Sequence, residues 1–223
     1  MLKNKILTAL LAICIVIFVI TFSIGLPIYF RPFYYMQIEP LNLEEETGYT
    51  KEEIKQGYDE ILDFLTLPGK EYGTGVFASS SEGEGHFRDC KGLFTLNLVL
   101  LIVSFAVSTV LIILNRLKKF TLCRPFGFNF LFTCGTGTLV FFATLGGLCA
   151  INFDKAFEIF HAIFFPGKDN WMFNPWTDEI ILAMPQQFFM NCAILIASTI
   201  ILTSIGFIIY GILERKTRKE KRK

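Results

Sequence analysis

Leu93-Phe-Thr-Leu-Asn-Leu-Val-Leu-Leu-Ile-Val-Ser-Phe-Ala-Val-Ser-Thr-Val-Leu-Ile-Ile-Leu114 runs without a single Asp, Glu, Lys, Arg or His. As a helix rising about 1.5 Å per residue, it exceeds the ~30 Å hydrocarbon core of a bilayer. Three further blocks read the same way: about Ile6 to Phe30, about Phe126 to Ile151, and Phe188 to Leu213. They also explain why 52% of the 223 residues are hydrophobic, more than one soluble core of this size requires. The first block follows Lys3 and Lys5, as a signal peptide would. Its apolar core is too long for that, and Gly25-Leu26-Pro27 offers no small-residue cleavage site, so it reads as a retained span. The expected fold class is an all-α membrane protein: four transmembrane helices and a small extracytoplasmic cap, mostly helix and loop, with a short hairpin as an alternative in one stretch.

The loops set the orientation. The amino terminus, the 115–125 loop and the tail from Glu214 carry 13 Lys and Arg against 2 acids. Residues 31–92 and 151–187 carry 8 Lys and Arg against 18 acids. A net charge of +1 therefore hides a segregation of +11 from −10. The excess of Lys and Arg marks the cytoplasmic side. The expected layout is a first helix over 1–30 with a cytoplasmic amino terminus, an outer cap over 31–92, and two helices over 93–151 joined by the basic 115–125 loop. A second outer segment covers 152–187, followed by a fourth helix over 188–213 and a basic cytoplasmic tail over 214–223. That tail reads as an anchor beside anionic headgroups and not as a nucleic-acid site. Spans free of ionisable groups disfavour proton relays, ion pumps and voltage sensors, which need charge at depth.

In the cap, Thr50-Lys51-Glu52-Glu53 has the spacing of a capping box. Ile54, Tyr58, Ile61, Leu62 and Leu65 then recur at helical spacing, so 51–66 reads as an amphipathic helix ended by Pro68-Gly69. Residues 69–85, rich in Gly and Ser, read as a mobile loop or hairpin that delivers His86 to the mouth of the second span. In the second outer segment Phe153, Phe157, Phe160, His161 and Phe164 share one helical face, closed by Pro166-Gly167. Thr177 is placed to cap a short helix through Met184. Aromatics at this depth suit an interfacial belt or the walls of a lipid site.

His86 and His161 are the chain's two histidines, and both fall beside spans on the outer side. Asp89 and Lys91 follow the first; Asn170, Trp171 and Asp178 follow the second. Two imidazoles with ordinary pKa near 6.5 can divide acid and base roles, and a carboxylate such as Asp89 or Asp178 can fix a tautomer. The spacing gives neither HxxxH nor HxH, no GxSxG motif is present, and Ser79, Ser80 and Ser81 are nucleophile candidates by proximity alone. No metal or cofactor is implied. Cys90 and Cys192, near the outer ends of two spans, read as buried structural thiols, with a disulfide between them as the alternative.

The run His161-Ala-Ile-Phe-Phe-Pro-Gly-Lys-Asp-Asn-Trp-Met-Phe-Asn-Pro-Trp-Thr-Asp178, continued by Pro185-Gln-Gln-Phe-Phe189, is distinctive. Together with His86-Phe-Arg-Asp-Cys-Lys91 it resembles the bacterial lipoprotein intramolecular transacylases over nearly the whole chain. The resemblance implies a plasma-membrane enzyme acting on diacylated lipoproteins. Such an enzyme moves the sn-2 acyl chain of the diacylglyceryl group to the α-amino group of the N-terminal cysteine. It also implies catalytic roles for His86 and His161. Where the family is expected to carry a basic–acidic pair before the first histidine, this chain has Ser81-Glu82-Gly83-Glu84-Gly85, without the base. Asp89, Asn170, Trp171 and Asp178 are the expected supporting residues, and Phe157, Phe160 and Phe164 the walls that confine the lipid. Beyond substrate and membrane lipid, no obligate protein partner is implied. The alternatives are a histidine-dependent hydrolase of membrane lipid or lipoprotein, and a non-catalytic membrane assembly partner.

Overall fold

A computed structural model describes residues 1–221. The helices in chain order are α1 Leu2–Tyr29, α2 Pro32–Tyr35, α3 Leu43–Thr47, α4 Lys51–Thr66, α5 Ser81–Arg116, α6 Phe130–Ile151, α7 Phe153–Phe164, α8 Ile180–Ala183 and α9 Gln186–Glu220. Among the described residues there is no strand, so the hairpin alternative falls away. Four helices, α1, α5, α6 and α9, are long and apolar enough to cross a membrane. With 36 residues, α5 is far longer than its charge-free stretch; its first 12 residues precede Leu93 and carry charge. The last two residues of the expected tail, Arg222 and Lys223, lie outside the described residues.

One compact unit comprises Met1–Ile24, Leu98–Leu148 and the chain from Leu195 onward. Its centre is Leu11, Leu111, Phe120, Phe130 and Cys134. Here α6 and α9 approach so closely that a Cβ on Gly135 would lie 2.6 Å from the Ser204 carbonyl oxygen. Small residues at such crossings let helices gain dispersion contacts where lipid provides no hydrophobic drive. Arg124 donates both guanidinium nitrogens to the Glu214 carboxylate at 2.7 Å each, a bidentate tie between the 115–125 loop and α9.

The other unit comprises Gly25–Asn97 and Cys149–Ile194. Its core is α4, whose expected face is buried: Ile54, Tyr58, Ile61, Leu62 and Leu65 are all nearly inaccessible. The capping box is present in both directions. Tyr34 stacks on Tyr58 at 3.7 Å and donates its hydroxyl to the Ala183 carbonyl at 2.7 Å.

Two expectations are corrected here. Residues 69–80 are irregular, but 81–85 form the first turn of α5 and not the end of a loop. The irregular part is pinned: Phe77 is buried against Gly57, and the Glu179 N–H donates to the Ala78 carbonyl. Thr177 does not cap α8, which is preceded by Glu179; its hydroxyl instead donates to the Asp178 carboxylate. Cys90 and Cys192 are both free thiols, and the Cys90 sulfur lies against His86.

Candidate active site

His86 sits in the second turn of α5, and the start of that helix is unusually well held. Ser80 Oγ accepts the Gly83 N–H at 3.0 Å, the geometry of a helix cap. Buried Asp178 then accepts the Ser80 N–H at 2.8 Å and the Ser80 hydroxyl at 2.9 Å. A Cβ on Gly83 would fall 2.1 Å from Asp178 Oδ1, so this approach requires glycine. Asp178 therefore grips the helix that carries His86.

His161 lies in the last turn of α7, a helix capped by Asn152 through the Lys155 N–H at 2.9 Å. It is the one buried residue of that helix. Its Nδ1 is 2.8 Å from the Phe157 carbonyl oxygen. A carbonyl only accepts, so Nδ1 carries the proton and Nε2 presents a lone pair.

The two imidazoles meet with ring centroids 5.8 Å apart, and they are only 7% and 6% exposed. Trp171 stacks on His161 at 4.3 Å, and Phe157 packs against it at the same distance. Phe165 lies 4.9 Å and Phe173 5.5 Å from His86. Phe160 touches the edge of His161 at 5.5 Å, and Phe164 packs on Phe160 at 4.6 Å; both remain half exposed. This enclosure favours neutral rings. Burial, seconded by the neighbouring His161, pushes His86 down from 6.5 to about 4. Burial also lowers His161, against the opposing pull of the Phe157 hydrogen bond.

Beside the pair, Asp89 accepts from the Lys168 ammonium and, at 3.2 Å, from Asn170 Nδ2. The Lys168 contact, chief among several, holds the Asp89 carboxyl below its usual range. The Trp171 indole N–H donates to the Lys168 carbonyl at 3.2 Å, so the 168–171 turn is tied at both ends. The carboxylate fixes which way Asn170 points, since a flipped amide would set oxygen against oxygen. Its Oδ1 is left buried with no partner, as is His86 Nδ1. A native structure rarely leaves such atoms unsatisfied without a use for them.

Of the residues singled out from the sequence, His86, His161, Asp89, Asn170, Trp171 and Phe157 are brought together. Asp178 is one helical turn away, at the cap. Neither carboxylate hydrogen-bonds an imidazole; a backbone carbonyl sets the His161 tautomer instead. The hydroxyls of Ser79, Ser80 and Ser81 are engaged by Tyr72, Asp178 and Glu82. Phe165, Phe173 and Cys90 were not among the expected site residues. Cys90 and Phe165 had a sequence signal, lying four residues after His86 and His161 and so on the same helical faces.

The family model described as lipoprotein intramolecular transacylase Lit matches residues 9–189. A solved structure of the membrane integral lipoprotein intramolecular transacylase Lit from Bacillus cereus superposes with a TM-score of 0.84 at 26% identity, covering 99% of each chain. Two structures of that protein with a histidine replaced are also similar, both with a TM-score of 0.78. The arginine variant is 27% identical over 98% of this chain and 95% of the other, and the alanine variant 26% identical over 96% of each. No curated protein matches the sequence. With its enclosed histidine pair, four apolar helices and a family match over most of its length, the chain belongs to the lipoprotein intramolecular transacylases, membrane-integral acyltransferases that act on lipoproteins.

Proposed function

We propose that this enzyme moves the sn-2 acyl chain of a diacylglyceryl lipoprotein to the α-amino group of its own N-terminal cysteine, with His161 as base and His86 as proton donor. The observation that carries this reading is the buried pair itself: two neutral imidazoles 5.8 Å apart, one with its Nδ1–H committed to a backbone carbonyl. The lone pair of His161 Nε2 is then free to take a proton. The substrate amine attacks the ester carbonyl, a C–N bond forms and the C–O bond to the glycerol breaks. The amine proton goes to His161 Nε2, and His86 Nδ1–H supplies a proton to the departing sn-2 oxygen. Return of the proton from His161 to His86 resets the pair. Donor ester and acceptor amine belong to one molecule, so folding the substrate supplies effective molarity and no acyl-enzyme is needed.

Asn170 orients the substrate's amine. One N–H of its amide is held by Asp89, and the buried unpartnered Oδ1 is an acceptor, which suits the substrate's amine N–H. Phe157, Phe160, Phe164 and Trp171 confine the lipid-bearing cysteine. Asp89 and Asp178 support the site, the first through Asn170 and the second through the cap of α5. The charge segregation supports a plasma-membrane protein with both termini in the cytoplasm, an outer cap over 31–92 and 152–187, and the site on the outer face. Substrate and membrane lipid are the partners this reading requires.

The test is expression in a bacterium whose lipoproteins are only diacylated, followed by fragmentation mass spectrometry of the N-terminal lipopeptides. An N-acyl, S-monoacylglyceryl product is expected. Free fatty acid without N-acylation indicates a hydrolase, and unchanged lipopeptides despite good expression defeat the transacylase reading for this chain.

A further inference from the structure

Cys90 follows His86 by one turn of α5, and its sulfur lies 3.4 Å from His86 Nε2. The opposite ring nitrogen, Nδ1, is buried without a partner, and the ring as a whole is 7% exposed. The acyl transfer described above makes no use of the thiol. We propose that Cys90 is a positioning residue whose S–H donates to His86 Nε2, holding that imidazole as the Nδ1–H tautomer and presenting Nδ1–H to the substrate. The contact stands on geometry; the choice of tautomer and the use of that N–H rest also on the transacylase reading.

Two considerations fix the direction of this bond. Burial pushes the Cys90 thiol up to about 12, so the sulfur keeps its proton and is available as a donor, though a weak one. The second is complementarity. His161 already offers a lone pair at Nε2, because its Nδ1–H is held by the Phe157 carbonyl. Were sulfur the acceptor, His86 would expose a second lone pair at Nδ1, and the site would hold two bases and no donor. With sulfur as donor, the rings offer one acceptor and one donor, as an amine attack with alkoxide departure requires. A tautomer set by the hydrogen bond on the far nitrogen is the usual way a protein selects between imidazole nitrogens.

Because the chain has only two histidines, histidine-selective ¹⁵N labelling of the full-length protein in lipid nanodiscs yields two ring systems to assign. Long-range ¹H–¹⁵N spectra at pH 7.5 are expected to show Nδ1–H on both rings. In Cys90→Ala, His86 is expected to move toward the Nε2–H form while His161 is unchanged and reports an intact fold. Cys90→Ser, which retains a donor, is expected to keep Nδ1–H. N-acyl transfer should fall on the order of tenfold in Cys90→Ala and recover in Cys90→Ser, the scale of other orienting partners of histidine. Nε2–H on His86 in the unsubstituted protein, or an unchanged tautomer in Cys90→Ala, overturns the proposal. A tautomer change with undiminished transfer leaves Cys90 in this role and defeats instead the assignment of His86 as proton donor.

Discussion

At the scale of single residues, the site turns on four nitrogen atoms and what each one faces. His161 Nδ1 faces a carbonyl, His86 Nε2 lies against a thiol, His86 Nδ1 is buried without a partner, and His161 Nε2 keeps its lone pair. Replacing either histidine with alanine is expected to lower N-acyl transfer by about 10²–10⁴-fold, the usual worth of a general acid or base, read from lipopeptide mass spectra at matched expression. The pH profile follows from the same groups. As the proposed base, His161 must be neutral, and burial lowers its pKa from 6.5, so it does not limit the rate above that pH. The substrate's α-amino group, with an ordinary pKa of about 7.7–8.0, must also be neutral. Initial rates are therefore expected to climb to about pH 8 and then level off; a fall between pH 7 and 8 would contradict His161 as the base. Stability has its own dependence. The folded pKa of His86 is depressed, so the unfolded chain binds the extra proton first. The contribution is fully present above 6.5 and is lost as pH falls toward about 4. The thermal midpoint should drop over that window, and less steeply in His86→Gln.

At the scale of elements, the start of α5 matters most. Ser80 caps it, Asp178 grips Ser80, and Gly83 leaves the room this needs. In Gly83→Ala the new methyl group would overlap the Asp178 carboxylate, so the grip must break. The expected cost is about 1–3 kcal/mol, the penalty of leaving a buried acceptor unsatisfied, measurable as a lower thermal midpoint together with reduced transfer. Gly85→Ala makes the contrast: its Cβ would sit at an ordinary 3.5 Å from Asn170 Nδ2, and near-normal stability is expected. Thr50→Ala at the α4 capping box is expected to cost about 1 kcal/mol without changing the pH profile, since it does not touch the histidines.

At the scale of the whole molecule, the segregation of charge predicts which side each loop occupies. Glu71 and Lys119 are both exposed, the first in the acidic outer segment and the second in the basic loop. With reactive native thiols removed, Glu71→Cys should react with a membrane-impermeant maleimide on intact cells, and Lys119→Cys only after permeabilisation. The reverse pattern would invert the topology and put the site on the inner face. Tight crossing of α6 on α9 at Gly135 gives a further expectation. Gly135→Val should lower the thermal midpoint in detergent, because backbones that meet at van der Waals distance have no room for a branched side chain.

Composition and spacing alone determined the four apolar helices, the capped α4 helix with its buried face, and the two histidines as the residues to watch. These features are local: a charge-free run, a 3.6-residue period and a side chain three positions from its cap depend only on neighbours along the chain. The distinctive run from His161 to Asp178 likewise pointed to the family, because a motif is legible without a fold. Only the tertiary structure decided what the carboxylates do. Asp178 lies 98 residues from Ser80 yet grips it, and Asp89 reaches Asn170 across 81 residues. It also let Asp178, from a distant loop, hold the Ser80 cap that starts α5 at 81–85. Such contacts join segments far apart in sequence, and their geometry is set by how the helices pack.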